Sequence, residues 1–397
     1  MSKIISSAGN LLMENKIMKL LSVVALKKTK FSSKSEATFE TKPYKLHRLK
    51  TGPSTTATLT AKEALSVYKN LTVARRLSNA CGSLYREKKI RGFCHLYTGQ
   101  EAVAAGMVSV MRKTDMVITS YRCHAWARLM GISTHGILAE LMGRATGCSR
   151  SKGGSMHLYG PNFLGGNGIV GAQVPLGTGM ALAQKYKELG GVTFALYGDG
   201  AANQGQIFEA FNIAKLLNLP CIYVCENNLY AMGTSTSRSS ANVEYYTRGD
   251  YLPGIWADGM DVLAVREATK FAIEHCTNGL GPLVLEMETY RYHGHSMSDP
   301  GTTYRTRDEV KYVRKSRDPI RLIKDKIINS GLATADELKE IETMVKNEVN
   351  EAVKQAAADP EIDPEELTMH ICSKNLHTQI RGVNPEALLQ HKVAGRN

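Results

Sequence analysis

Residues 192–211, VTFALYGDGAANQGQIFEAF, decide how this chain is read. An apolar run with the composition of a buried strand meets Gly198, Gly200 and Gly205. It then gives way to a segment that sets Ile207, Phe208, Phe211 and Ala214 at the spacing of one helical face. A strand, a glycine turn and a helix start make an elbow whose free backbone N–H groups suit a phosphate. The glycines follow G-x-G-x-x-x-x-G, off the G-x-G-x-x-G fingerprint of a nicotinamide dinucleotide fold. Asp199 puts a carboxylate where a diphosphate would approach, and two anions in contact need a cation between them. Mg2+, a hard cation that prefers oxygen ligands, meets that need. The next apolar run, CIYVC (221–225), ends in ENNLYAMGT. It delivers Asn227 and Asn228 to the same edge, where an Asn228 amide oxygen and a turn carbonyl such as that of Tyr230 would join Asp199.

Outward from the elbow, the periodicity predicts helices over 60–90, 177–189, 204–218 and 264–277 and strands over 192–197, 221–225 and 282–289. Strands alternating with helices imply an α/β fold with a mainly parallel sheet flanked by helices and a ligand at the carboxyl ends of the strands. Residues 91–175 are rich in glycine, histidine and aromatic residues, as expected of loops that assemble a site. An apolar stripe of Leu338, Ile341, Val345, Val349, Val353 and Ala356 marks a helical tail. The expected organisation is a leader at 1–30, an extension at 31–60, the α/β domain at 61–317 and a helical C-terminal region at 318–397.

The net charge of +13 is uneven, with eleven Lys or Arg against three Glu in the first fifty residues. That serine-rich, acid-poor segment has apolar residues spaced for a basic amphipathic helix, which suits a mitochondrial transit peptide better than a nucleic-acid surface. No apolar run is long enough for a membrane span. The eight cysteines are scattered without metal spacing and read as reduced, buried thiols.

GDG followed some thirty residues later by NN, together with RGFCHLYTGQEA, YRCH, SKGGSMHLY, GGNGIVGAQVPLG and YRYHGHSMSDPGTTYRTR, is similar to thiamine diphosphate enzymes of the 2-oxo acid dehydrogenase family. The chain resembles their alpha subunits of mitochondrial pyruvate dehydrogenase type; NQG after the GDG and YRYHGHSMSDP favour that type over the branched-chain type. The resemblance implies decarboxylation of pyruvate and acetylation of a lipoyl group. It assigns Mg2+ to Asp199, Asn228 and the Tyr230 carbonyl, and thiamine diphosphate to Tyr121, Arg122, Gly160, Gly168, Val170, Gly200, Ala201, His293 and His295. His95, with Tyr121 and Arg122, would orient the 2-oxo acid. A beta subunit would supply the activating glutamate in a heterotetramer of two alpha and two beta chains. The remaining implied partners are the dihydrolipoyl acetyltransferase core, a kinase and a phosphatase, with the mitochondrial matrix as location. The kinase would act on Ser296, Ser235 and Thr303. Ala231 stands where the family often has glycine, tolerable if φ stays negative there.

Overall fold

The computed structural model describes residues 34–370, 379–380 and 389–390. The leader and most of the chain after residue 370 lie outside the described residues. The strands that matter are β1 (Glu36–Glu40), β2 (Lys45–His47), β3 (Thr56–Thr60), β4 (Met116–Ser120), β5 (Phe163–Asn167), β6 (Thr193–Gly198), β7 (Cys221–Asn227), β8 (Tyr230–Ala231), β9 (Thr234–Ser235), β10 (Gly254–Asp258) and β11 (Leu283–Glu288). Seven of them form one sheet in the order β2-β10-β11-β7-β6-β4-β5, parallel except for β2 at the edge. The chain passes from β4 outward to β5, returns past β4 to β6 and continues on the other side to β7. That reversal lies between β4 and β6, and it opens a crevice beyond their carboxyl ends.

Both faces of the sheet are covered. On β6, Phe194 and Leu196 join one apolar cluster with Trp126 and Leu285, while Ala195 and Tyr197 join another with Ile207 and Phe211. The helices are α1 (Ala61–Arg86), α2 (Glu101–Val108), α3 (His124–Leu129), α4 (Thr134–Leu141), α5 (Gln173–Tyr186), α6 (Gly205–Leu216), α7 (Thr236–Ser239), α8 (Val262–Thr277), α9 (Arg307–Arg317), α10 (Pro319–Ser330) and α11 (Ala335–Ala358). α1 opens on a reciprocal capping box, in which the Glu63 N–H donates to the Thr60 hydroxyl and the Thr60 N–H to the Glu63 carboxylate. None of the described helices is long and apolar enough to cross a membrane.

Several expectations move. α5 starts at Gln173 because Pro175 falls in its first turn, where a missing N–H costs nothing. It presses close to the sheet: a Cβ on Gly177 would come within 2.6 Å of that of Ala195. Phe208 is not part of the buried face of α6; it is 39% exposed while Ile207, Phe211 and Ala214 are buried. The segment 318–358 is two helices, divided where Gly331 takes φ +75° and closes α10. Strands β4, β5 and β10 were not foreseen; β10 is only five residues, GIWAD. The extension contributes β2 to the sheet edge, and β1 pairs with β3. All seven described cysteines are free, and all but Cys148 are buried.

One ionic node ties the helical layer together. Arg75 on α1 grips the fully buried Glu101 of α2 with its Nε and Nη2, one donor to each carboxylate oxygen, and Nη2 also donates to Asp318 at 3.0 Å. Asp318 in turn caps α10 by accepting from Ile320 and Arg321. Replacing Arg75 by Met leaves the Glu101 charge buried without its partner. We expect a loss of about 3–5 kcal/mol in unfolding free energy by thermal or denaturant melts, partly recovered by adding Glu101→Gln.

Candidate active site

Three strand ends meet in the crevice. Tyr121 and Arg122 follow β4, Asp199 and Gly200 follow β6, and Asn228 follows β7, in a cavity of about 840 Å3. Gly198 pairs with Glu226 across the sheet, so the turns after β6 and β7 stand side by side. Gly168, Val170, Ala201, Tyr230, His95 and His295 complete the wall.

Asp199 is 1% exposed, and its Oδ2 has no hydrogen-bond partner. Burial pushes its pKa up to about 6. A buried carboxylate oxygen without a donor asks for a cation. The other oxygens assigned to the ion lie together: Nη1 of Arg291 donates to Asn228 Oδ1 and to the Tyr230 carbonyl, each at 3.1 Å. Both therefore face one point, where a positive group already stands. One carboxylate, one amide oxygen and one carbonyl make the hard-oxygen set that Mg2+ prefers. Among the described residues no group of three or more His, Cys, Asp or Glu is placed to hold a metal ion, so a site here would rest on one carboxylate with neutral oxygens. The residues fit Mg2+.

Arg122 is buried and donates to the carbonyls of Leu96 (2.7 Å) and His295 (2.8 Å), and among the described residues it pairs with no carboxylate. Its charge is thus left for an anion in the cavity. Burial, then the neighbouring Arg291, lowers its pKa to about 10, which still leaves it cationic at neutral pH. Beside it, His95, Tyr121 and His295 form a three-ring cluster with centroids 4.3 to 5.5 Å apart. Burial and then Arg122 push His95 down to about 2 and His295 to about 4, so both imidazoles are neutral at physiological pH. They can therefore donate or accept a hydrogen bond without adding charge beside Arg122.

Two candidates lie elsewhere. Gly160 exchanges backbone hydrogen bonds with Phe163 before β5 and packs on Ile132, outside the cavity wall. His293 lines a separate cavity. Ser296 is buried, with its hydroxyl 2.8 Å from that of Ser298, and touches both cavities. Thr303 is exposed at the cofactor-side wall. Ser235 sits on β9, bonded to Ser237 at 3.0 Å. Residues not singled out from sequence also line the cavity. Gln100 accepts from Asn228 Nδ2 at 3.2 Å. Glu226 accepts from the Tyr97 hydroxyl, and burial raises its pKa to about 7. Arg291 and Tyr304 complete the group.

Residues 69–365 match the family described as "Dehydrogenase E1 component". The chain belongs to that family. Dehydrogenase E1 components are thiamine diphosphate-dependent. Among similar proteins, the Caenorhabditis elegans "Probable pyruvate dehydrogenase E1 component subunit alpha, mitochondrial" is 60% identical over 348 residues, 88% of each chain. The Ascaris suum "Pyruvate dehydrogenase E1 component subunit alpha type I, mitochondrial" is 56% identical over 90% of each chain. The Homo sapiens "Pyruvate dehydrogenase E1 component subunit alpha, somatic form, mitochondrial" is 54% identical over 88% of this chain and 90% of its own.

Within this E1 site, Ala231 avoids the positive φ of its neighbours Leu229 and Met232, as tolerance of a side chain there requires. It makes Gly200 obligatory: a Cβ on Gly200 would fall 2.7 Å from that of Ala231. Gly200→Ala should cost about 1–3 kcal/mol by overpacking and weaken thiamine diphosphate binding. Adding Ala231→Gly should restore both melting temperature and affinity; failure of the pair to recover would refute this contact as the cause.

Proposed function

We propose that this chain is the alpha subunit of a pyruvate dehydrogenase, acting with thiamine diphosphate and Mg2+ to decarboxylate pyruvate and pass its acetyl unit to a lipoyl group. The observation that carries the reading is the unpartnered, buried Oδ2 of Asp199 beside the converging oxygens of Asn228 and Tyr230. When bound, thiamine diphosphate supplies the carbon nucleophile and the electron sink. The chain's own residues hold and orient. Asp199, Asn228 and Tyr230 bind Mg2+, the N–H groups of Gly200 and Ala201 face the diphosphate, and Arg122 meets anionic oxygen. His95, neutral, orients the 2-oxo acid by hydrogen bonds, and His295, also neutral, would contact the cofactor. The aromatic wall of Tyr121 and the two imidazoles keeps water from the reacting carbon. The names of the relatives favour pyruvate over a branched-chain 2-oxo acid.

The site is completed by a beta subunit. α5 and α6 present Leu176, Leu182, Tyr186, Ile213 and Leu216 to solvent, with Tyr186 84% and Leu216 78% exposed. An outward apolar face of this kind supports a subunit contact. The assembled alpha and beta heterotetramer serves the dihydrolipoyl acetyltransferase core in the mitochondrial matrix, reached through the basic leader. A dedicated kinase modifies Ser296, with Ser235 and Thr303 as further sites, and a phosphatase reverses it. A phosphate on Ser296 places close to two negative charges at the cavity mouth, where the anionic substrate enters.

Asp199→Asn should weaken thiamine diphosphate binding about a hundredfold, roughly 3 kcal/mol, while assembly with the beta subunit persists; calorimetry and gel filtration read both. Unchanged affinity would remove the metal assignment. Co-purified alpha and beta chains should decarboxylate pyruvate in preference to branched-chain 2-oxo acids, only with thiamine diphosphate present. Treatment with pyruvate dehydrogenase kinase and ATP should abolish that activity, and Ser296→Ala should slow the inactivation. Equal loss in the variant would exclude Ser296 as the main switch.

A further inference from the structure

Beside the loop 294–301, sharing Ser296 and Asp299 with the larger cavity, lies a second cavity of about 430 Å3. Its wall includes His293, Arg305, Arg307 and Lys311 with one carboxylate, Asp299, and the first turn of α9 forms one side. The charges there are unbalanced. Arg305 is 6% exposed and donates to the carbonyls of Arg291 and His293, with its guanidinium over the rings of Tyr230, Tyr290 and Tyr304. Among the described residues neither Arg305, Arg307 nor the adjacent Arg314 has a carboxylate within 4.0 Å, and Lys311 reaches only the exposed Asp308, at 3.6 Å.

The acids nearby are committed elsewhere. Asp299 accepts from the His295 and Gly301 N–H groups within the loop and from the Tyr304 hydroxyl just beyond it. Glu309 accepts from the hydroxyls of Tyr230 and Tyr290 on the other side of α9. The His293 imidazole reports the resulting field: burial first, and then Arg314, Arg86, Arg305 and Arg75, lower its pKa, with no acid acting against them among the leading causes.

We propose that this cavity is a second anion site, which takes a phosphoryl or similar tetrahedral oxyanion and, when filled, fixes the 294–301 loop against α9. Guanidinium groups that no carboxylate pairs are suited to such an ion, and the one acid in the wall, Asp299, is already held by three donors. The site differs from the diphosphate site in its residues and in needing no metal, because its charge is already positive. The anion has two sources, a free phosphate or a phosphoryl group carried by Ser296, which lines both cavities.

The test titrates inorganic phosphate into the purified full-length assembly after saturation with thiamine diphosphate and Mg2+, which closes the first cavity to the probe. Saturation is measured beforehand, so failure of the cofactor reading is seen separately. Saturable phosphate binding is expected, about tenfold weaker in Arg307→Glu and in Lys311→Glu. Lys315→Glu, on the same helix but not on the cavity wall, should bind nearly as the parent does. Phosphate should also slow hydrogen exchange across 294–301. No saturable binding, equal weakening by all three charge reversals, or unchanged exchange would overturn the proposal. In the Ser296-phosphorylated chain, an arm that rests on the proposed modification, loss of the titration identifies the covalent group as occupant and persistence identifies a free anion; both support the site.

Discussion

The site depends on a single buried guanidinium. Arg291 is among the largest fully buried side chains, and its donors reach Asn228, the carbonyls of Tyr230, Met232 and His293, and the Tyr304 hydroxyl. It therefore connects the turn after β7, the β8–β9 hairpin and the loop carrying Ser296. A cation out of water is tolerable only when each donor is met, so these segments are held in one arrangement or the charge is left unsolvated. The burial of Arg291 and the order of the surrounding loops are one constraint.

The same logic organises the rest of the cavity. Arg122 carries a charge that backbone carbonyls solvate without neutralising, Asp199 carries one with a free oxygen, and the imidazoles of His95 and His295 stay neutral. The positions left unsatisfied are those where ligand atoms of opposite sign would come. The sheet supplies the rigidity: Tyr121, Asp199 and Asn228 each follow a strand fixed by pairing on both sides.

What could be read from sequence was what lies close along the chain. The elbow at Asp199 and the NN turn each sit where an apolar run ends, and strand ends in a parallel sheet share an edge, so their meeting follows from topology. Gln100, Glu226, Arg291 and Tyr304 all lay inside quoted motifs, but nothing local marked them: Glu226 precedes the asparagines at the end of β7, Gln100 and Tyr304 reach the wall through contacts distant in sequence, and the burial of Arg291 shows only in the fold. His293 misled for a local reason. Residues two apart in an extended chain share a face, but the backbone bends on both sides of Gly294, and the two histidines of HGH part to different cavities. Phe208 fell on the shoulder of a helix whose other apolar residues were placed correctly. The division of the tail at Gly331 turned on one left-handed residue.

The thiols have a use outside chemistry at the site. Cys81, Cys94, Cys123, Cys221, Cys225 and Cys276 are spread across both faces of the sheet, each buried and each with its pKa raised chiefly by burial. While the fold is closed they are both sheltered and protonated, and an alkylating reagent needs the exposed thiolate. Their rate of labelling therefore clocks the opening of the core itself. The cysteines make the molecule a built-in recorder of its own excursions from the native state, reporting from two helices, two loops and the central strand β7.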